Sequence, residues 1–181
     1  SSFDFGSGDG VPEPYITYSG GIAHIKAQEE TNNAVDKYDS SQYEDAYKRL
    51  GYASHYIADV SNPLHTGMES QQGADYVATV IVGGQDRSNA IHYRHERHVK
   101  NKWADWFESE VEYEPLHNFN DSVKSEVNSL AGESQEDAST VFYDVLFKNK
   151  SDWKDSLRGL NEDRLAQTVS YTKGLIQHME L

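Results

Sequence analysis

Residues 42–65 read QYEDAYKRLGYASHYIADVSNPLH, and this stretch decides the fold. Most of it has the spacing of an α-helix with one apolar stripe. The predicted stripe consists of Tyr43, Ala46, Tyr47, Leu50, Ser54 and Ile57. The residue before a proline is disfavoured in helices, so Pro63 predicts that the helix ends at Asn62. His65 is then expected to return from a turn.

The same helical pattern occurs on both sides of this stretch. Further helices are predicted near residues 20–38, 88–111, 121–130, 135–147 and 161–179, with a shorter one in SDWKDSLRGL. Ser40 or Ser41 is expected to cap the helix of the opening stretch. Residues 66–86, which include YVATVIV, favour a loop with a short strand. The predicted fold class is all-α, a single-domain multi-helix bundle over residues 1–181 with residues 1–18 as an irregular N-terminal arm.

Two histidine–carboxylate pairs indicate a metal site. His55 and Asp59 are four residues apart, as are His92 and Glu96, so each pair lies on one face of a predicted helix. His65 is a candidate third ligand beside Pro63. Either pair alone is also common on solvated helix faces, but both pairs with His65 predict metal ligands that converge inside a bundle. Since the chain has no cysteine, this ligand set suits zinc first and iron or manganese next.

The other histidines and aromatic residues carry weaker signals. His95 lies one residue off the face of His92 and Glu96, which favours solvent exposure or a hydrogen bond to one of the metal-ligating side chains. His98 is expected at the surface, and His117 and His178 are expected to be structural or exposed. A further cluster has the helical spacing of core residues, with a membrane or substrate contact as the alternative. It consists of Trp103, Trp106 and Phe107.

The amino-acid composition limits the kinds of binding partner that the protein is expected to have. Asp and Glu number 30 against 16 Lys and Arg, for a formal charge of -14. Such a surface repels phosphate backbones, so double-stranded nucleic acid is not an expected partner. The acidic excess resembles that of proteins from salt-rich cytoplasm or brine. No apolar run is long enough to cross a membrane, and the opening SSFDFGSGDG lacks the features of a signal peptide.

The segment YEDAYKRLGYASHYIADVSNPLH, followed by HYRHE at residues 92–96, resembles the signature of the zinc-dependent phospholipase C family. Clostridial alpha-toxin belongs to that family, and fungal zinc-dependent single-strand nucleases are its structural cousins. The resemblance implies a bundle of this type, one to three Zn²⁺ ions, and hydrolysis of a phosphodiester by metal-activated water. It also implies a secreted protein, extracellular or at the cell surface, that makes at most transient contact with a membrane.

The resemblance assigns roles residue by residue. It implies that His65, His92 and Glu96 hold one zinc ion, while His55 and Asp59 belong to a paired site. Asp59 would bridge two metals, which makes it the expected catalytic residue. The family takes its remaining ligands from an amino-terminal tryptophan and from histidines and an aspartate upstream. This chain begins with Ser1, so His24 is the candidate upstream histidine, and Asp4 or Asp9 the candidate aspartate.

Departures from the family keep the substrate open. TGMES follows His65 at residues 66–70, and the long span from there to His92 is closer to the nucleases. A small phosphoester or phospholipid is the expected substrate, with a single-strand nuclease or phosphomonoesterase as the alternative. A second alternative is a non-catalytic zinc-binding structural protein with an incomplete cluster, in which His95 would be a fourth ligand. The oligomeric state is not indicated.

Overall fold

The computed structural model describes residues 22–66 and 91–179, with the backbone alone for residues 92, 154 and 155. The described residues form helices and connecting turns, without strands, which confirms the all-α bundle. The helices are α1 Ala23–Asp39, α2 Tyr43–Ser61, α3 Pro63–Thr66, α4 Ile91–Lys102, α5 Glu108–Val111, α6 Val123–Glu136, α7 Ala138–Phe147, α8 Trp153–Ser156 and α9 Arg158–His178. A π-helical turn, Trp103–Phe107, joins α4 to α5.

Helix α2 lies at the centre of the first core. Helices α1, α6 and α9 all pack against it, and α1 has the most extensive contact. The interface with α1 is built from small side chains, because Ala27, Ala34 and Ala53 are completely buried. Larger side chains fill the space towards α6 and α9: Tyr56, Ile57, Val60, Val123, Val127, Leu130, Tyr171, Leu175 and Met179. Burial of this apolar surface is the main favourable term in the stability of the bundle.

A second core lies beyond the end of α2. It contains Leu64 of α3, Ile91 of α4, Val141 and Val145 of α7, and Leu157, all almost fully buried. The completely buried Trp153 completes it and donates its indole N–H to the backbone oxygen of Asp144 at 3.0 Å. Helix α3 contacts α2, α6 and α7. The short helix that follows Pro63 is therefore held between the two cores.

The predicted end of α2 is confirmed, and its predicted cap is wrong. Asn62 leaves the helix with an extended backbone, φ −83° and ψ 114°, as expected for a residue before proline. At the other end, Gln42 precedes the helix without a side-chain capping bond. Ser41 instead has a left-handed φ of 60° and closes the end of α1. Its N–H bonds to Tyr38 and that of Gln42 to Lys37, both at 2.8 Å, the arrangement of a Schellman motif.

The long helix predicted to end near Val111 is interrupted by the π-helical turn. The turn changes the directions in which the aromatic side chains point. Phe107 is fully buried and Trp106 is half-buried, whereas Trp103 remains 37% exposed. Core packing is thus confirmed for Phe107 and wrong for Trp103. An extra residue in one turn rotates the side chains that follow, which the ordinary helical period does not anticipate.

Some predictions fall outside the described residues. These are the N-terminal arm at residues 1–18 and the loop at residues 67–86, whereas Thr66 belongs to α3. None of the described helices combines the length and the apolar character needed to cross a membrane.

Candidate metal centre

Three helices bring four of the predicted ligands together. His55 and Asp59 lie one turn apart on α2, His65 lies on α3, and Glu96 lies on α4. Asp59 is at the middle of the group: its Oδ2 is 3.2 Å from His55 Nε2 and its Oδ1 is 3.4 Å from His65 Nδ1. The opposite nitrogen of His65, Nε2, is 3.4 Å from Glu96 Oε1. The side chains therefore form a continuous series from His55 to Glu96.

The two ends of the series are exposed to solvent, and its middle is buried. The side chains of Asp59 and His65 are only 10% and 8% exposed, whereas those of His55 and Glu96 are 39% and 28% exposed. The break at Asn62 produces this arrangement, since it turns α3 back so that His65 lies under Asp59. A ligand from solution can reach both outer members without opening the core.

Hydrogen bonds and electrostatic attraction hold His65 between the carboxylates of Asp59 and Glu96. Burial by itself would lower the pKa of its imidazole, but hydrogen bonds to Asp59 and Glu96, with their negative charges, raise that pKa to about 9. Without metal, His65 is thus protonated at neutral pH and bonds to a carboxylate at each end. A metal ion has to displace that proton, because only the deprotonated imidazole nitrogen is a ligand.

The donor atoms fit zinc as two pairs. Two ligands at about 2.0–2.1 Å from a tetrahedral zinc ion lie roughly 3.3 Å apart. His55 Nε2 with Asp59 Oδ2, and His65 Nε2 with Glu96 Oε1, have separations of 3.2 and 3.4 Å. Asp59 Oδ2 is also buried without a well-oriented hydrogen bond from the described residues. A buried carboxylate oxygen left in this state is suited to a cation.

A third ligand for each of these two pairs stays a prediction. The side chain of His92 lies outside what is described, although its backbone belongs to α4. His24 lies on α1, half-buried, and its pKa is lowered by burial and by the charge of Lys124. Among the described residues, no three His, Asp or Glu side chains form a group arranged to hold a metal. His24 is accordingly not joined to His55 and Asp59, and Asp4 and Asp9 lie outside the described residues.

The remaining histidines have structural surroundings. His95 is 3% exposed and its Nε2 lies 2.8 Å from Asn161 Oδ1, so its predicted exposure is wrong. His98 is half-buried, edge-on to the rings of Trp106 and Trp153 at 5.3 and 4.9 Å, so it is only partly exposed. His117 is structural as predicted, because it stacks on Tyr171 at 3.8 Å and bonds to Glu126 at 3.0 Å. His178 is exposed.

Asn62 belongs to the site and was missed by the sequence analysis. Its Oδ1 accepts a hydrogen bond from the backbone N–H of Leu64 at 3.1 Å, which caps α3, and its Nδ2 donates to Glu96 Oε1 at 3.3 Å. One amide thus ties the turn after α2 to the carboxylate on α4. The available signal was an asparagine directly before a proline, a combination typical of a turn with a side-chain cap.

Comparison with known proteins adds no family. No protein-family model matches the chain, and no curated protein matches it significantly.

The raised pKa of His65 predicts how the stability of metal-free protein depends on pH. The contribution of protonated His65 to the free energy of unfolding is complete below pH 6.5, its ordinary pKa. This contribution is lost as the pH rises through about 9. We expect the free energy of unfolding of chelator-treated protein to fall by on the order of 3 kcal/mol across this window. Urea denaturation at several pH values measures it. The decrease should vanish in the His65→Gln variant; an equal decrease in that variant would contradict the assignment.

Proposed function

We propose that this protein is a zinc-dependent phosphodiester hydrolase of the phospholipase C type, with His55, Asp59, His65 and Glu96 in its metal centre. The observation that carries the proposal is the convergence of these side chains from three helices, at separations that suit pairs of zinc ligands. His92, on α4, is the further ligand that we assign to His65 and Glu96, and no described residue supplies a third ligand beside His55 and Asp59. The resemblance of residues 43–65 to the family signature points to the same assignment.

The residues around the metal have separable tasks. Asp59 accepts from His65 Nδ1 and so directs the opposite nitrogen towards Glu96, in the manner of a carboxylate that orients a metal-bound histidine. Asn62 holds Glu96 through its amide. His55 and Glu96, at the two ends of the series, are its exposed members, so a phosphoester from solution can reach the centre at either of them. With His55, Asp59, His65 and Glu96 as its ligands, a zinc ion would supply ionised water near neutral pH and would neutralise the charge of the phosphate.

The tyrosines near the site favour a small or lipid phosphoester over single-stranded nucleic acid. Binding of a single strand relies on aromatic faces on which bases can stack. Tyr56 is only 2% exposed, so its ring is not accessible to a base. The rings of Tyr52 and Tyr93 have cationic side chains over them, which compete with a base for the ring face. Arg49 and Lys48 lie over the ring of Tyr52 at 5.7 and 5.8 Å, and Arg97 lies over that of Tyr93 at 6.0 Å. The net charge of -14 also opposes a long polyanion.

Turnover of three substrates tests the proposal. They are p-nitrophenyl phosphorylcholine, a phosphatidylcholine dispersion and single-stranded DNA, each with chelator, without it, and after zinc is restored. We expect hydrolysis of a choline ester that chelator lowers at least about 100-fold and that zinc restores.

Two results would replace the proposal with its rivals. Chelator-sensitive cleavage of DNA with an inert choline ester would assign a nuclease instead. Bound zinc with no hydrolysis of any substrate, and a melting temperature that collapses with chelator, would assign a structural zinc site.

A further inference from the structure

A cavity of about 230 Å³, which Glu96 borders and His65 does not, lies between the end of α2, α4 and α9. Its wall includes Ala58 and Ser61 of α2, Val99 of α4 and Leu165 of α9. The side chains of α2 that line the cavity are thus different from His55 and Asp59, which belong to the candidate metal centre. Asn62 and Glu96 belong to both walls. The cavity is a neighbour of the candidate metal centre and not a part of it.

Asn161 gives this wall a polar group that the fold leaves unused. The residue is 3% exposed, and its Oδ1 accepts from His95 Nε2 at 2.8 Å. Its Nδ2 is buried without a hydrogen-bond partner in the described part of the chain. A buried amide left in this way is unfavourable, and such groups call for a ligand or an ordered water. The surface that the lining residues expose to the cavity is mainly apolar, and Asn161 has one hydrogen bond left to donate.

The charges around the cavity argue against a charged ligand. Arg164, which also lines it, donates from Nε to Asp137 and from Nη1 to Gln167, both at 2.7 Å, so its charge is already matched. Glu96 opposes an anion, and Lys100, which also lines the cavity, opposes a cation. An ion placed against a buried amide without a counter-charge is costly to desolvate. An uncharged molecule meets neither obstacle.

We propose that this cavity binds a small uncharged aliphatic molecule carrying one hydrogen-bond acceptor, such as a ketone or ester carbonyl, which accepts from Asn161 Nδ2. The aliphatic part lies against Val99 and Leu165. A cavity of about 150 Å³ holds a benzene molecule, so this one has room for a somewhat longer chain. Because Glu96 and Asn62 form part of the wall, a bound molecule contacts the back of the candidate metal centre.

Titration of isotope-labelled protein with 2-heptanone tests this site. The matched probe is 2-methyl-1-heptene, which has the same shape but carries a methylene group in place of the carbonyl oxygen. We expect 2-heptanone to give saturable NMR shifts at Val99 and Leu165 and to move the side-chain amide protons of Asn161, which the alkene leaves in place. In Asn161→Leu, the affinity for the ketone relative to the alkene should fall about three- to tenfold.

A pair of aromatic substitutions keeps the test decisive if Asn161→Leu does not fold. Ala58 is exposed at the cavity, so Ala58→Phe fills it without entering a core, whereas Ala104→Phe adds the same ring at an exposed position elsewhere. We expect the first variant to lose 2-heptanone binding and the second to keep it. The proposal is overturned if the ketone causes no saturable shift at Asn161, or if Ala58→Phe binds it as well as the unmodified protein does.

Discussion

Replacement of Asp59 by Asn is expected to remove metal and activity together. Asp59 lies at the middle of the ligand series, with one oxygen facing His55 and the other facing His65. The amide keeps the shape but loses the charge that a cation requires and offers only one acceptor atom. We expect native protein to hold at least two zinc ions per chain and Asp59→Asn to lose at least one of them. Hydrolysis should fall at least about 100-fold, measured alongside zinc by atomic emission.

Asp144→Asn is the matched control for this variant. Asp144 is also a helical aspartate, 3% exposed, with an Oδ2 that lacks a hydrogen-bond partner among the described residues. It lies on α7, where its other oxygen pairs with Lys148 at 2.8 Å. We expect this variant to keep its full zinc content and activity. Equal loss in both variants would point to general destabilisation, and full activity in Asp59→Asn would remove Asp59 from the site.

Replacement of Gly174 by Ala is expected to lower the free energy of unfolding strongly. A Cβ atom at this position in α9 would overlap the backbone oxygen of His117 and lie 3.1 Å from the ring of Phe119. The crossing segment cannot easily move away, because the His117 N–H bonds to Ser170 O and Lys173 Nζ bonds to the backbone oxygens of Glu112 and Glu114. We expect a loss of about 3 kcal/mol or more in urea denaturation.

Gly132→Ala is the control, and the sign of its effect should be opposite. Gly132 lies within α6, and a Cβ atom there would meet nothing within 4 Å. Alanine is the better helix former by about 1 kcal/mol, so this variant should gain up to that amount. If Gly174→Ala were as stable as Gly132→Ala, the close approach of α9 to His117 would be wrong.

The fold was predictable from the sequence wherever a local rule decided it. Pro63 set the end of α2, and the helical spacing of the surrounding stretches gave the all-α class. Ser41 shows where local rules conflict, because serine is a common helix N-cap, yet here the chain uses it to close α1. The choice depends on two backbone hydrogen bonds that composition does not reveal.

The buried face of α2 was predicted only in part. Ala46 and Ile57 are buried as expected, but Tyr43 and Tyr47 of the same predicted stripe are 51% and 58% exposed. Helix α1 approaches closely through its alanines, and this favours the small side chains of α2 over the large ones. The apolar character of tyrosine was thus a poor guide, since the size that a neighbour allows depends on a tertiary contact.

The candidate site was predictable in its members and not in its connections. The spacing of His55 with Asp59, and the position of Pro63, selected residues that the fold brings within 3.4 Å of one another. The link from Asn62 to Glu96 and the burial of His95 against Asn161 both join segments distant in sequence. Helical periodicity places a side chain on a face, but it cannot say which other helix covers that face.

The central position of α2 has a consequence for biosynthesis. The first core takes Tyr171, Leu175 and Met179 from α9 and the residue after it, and the ribosome delivers these after all four of the converging ligands. A nascent chain can therefore expose His55, Asp59, His65 and Glu96 before the core that holds α2 is complete. Because a domain of this kind folds as a unit, the candidate metal centre can take its final geometry only after α9 has been released.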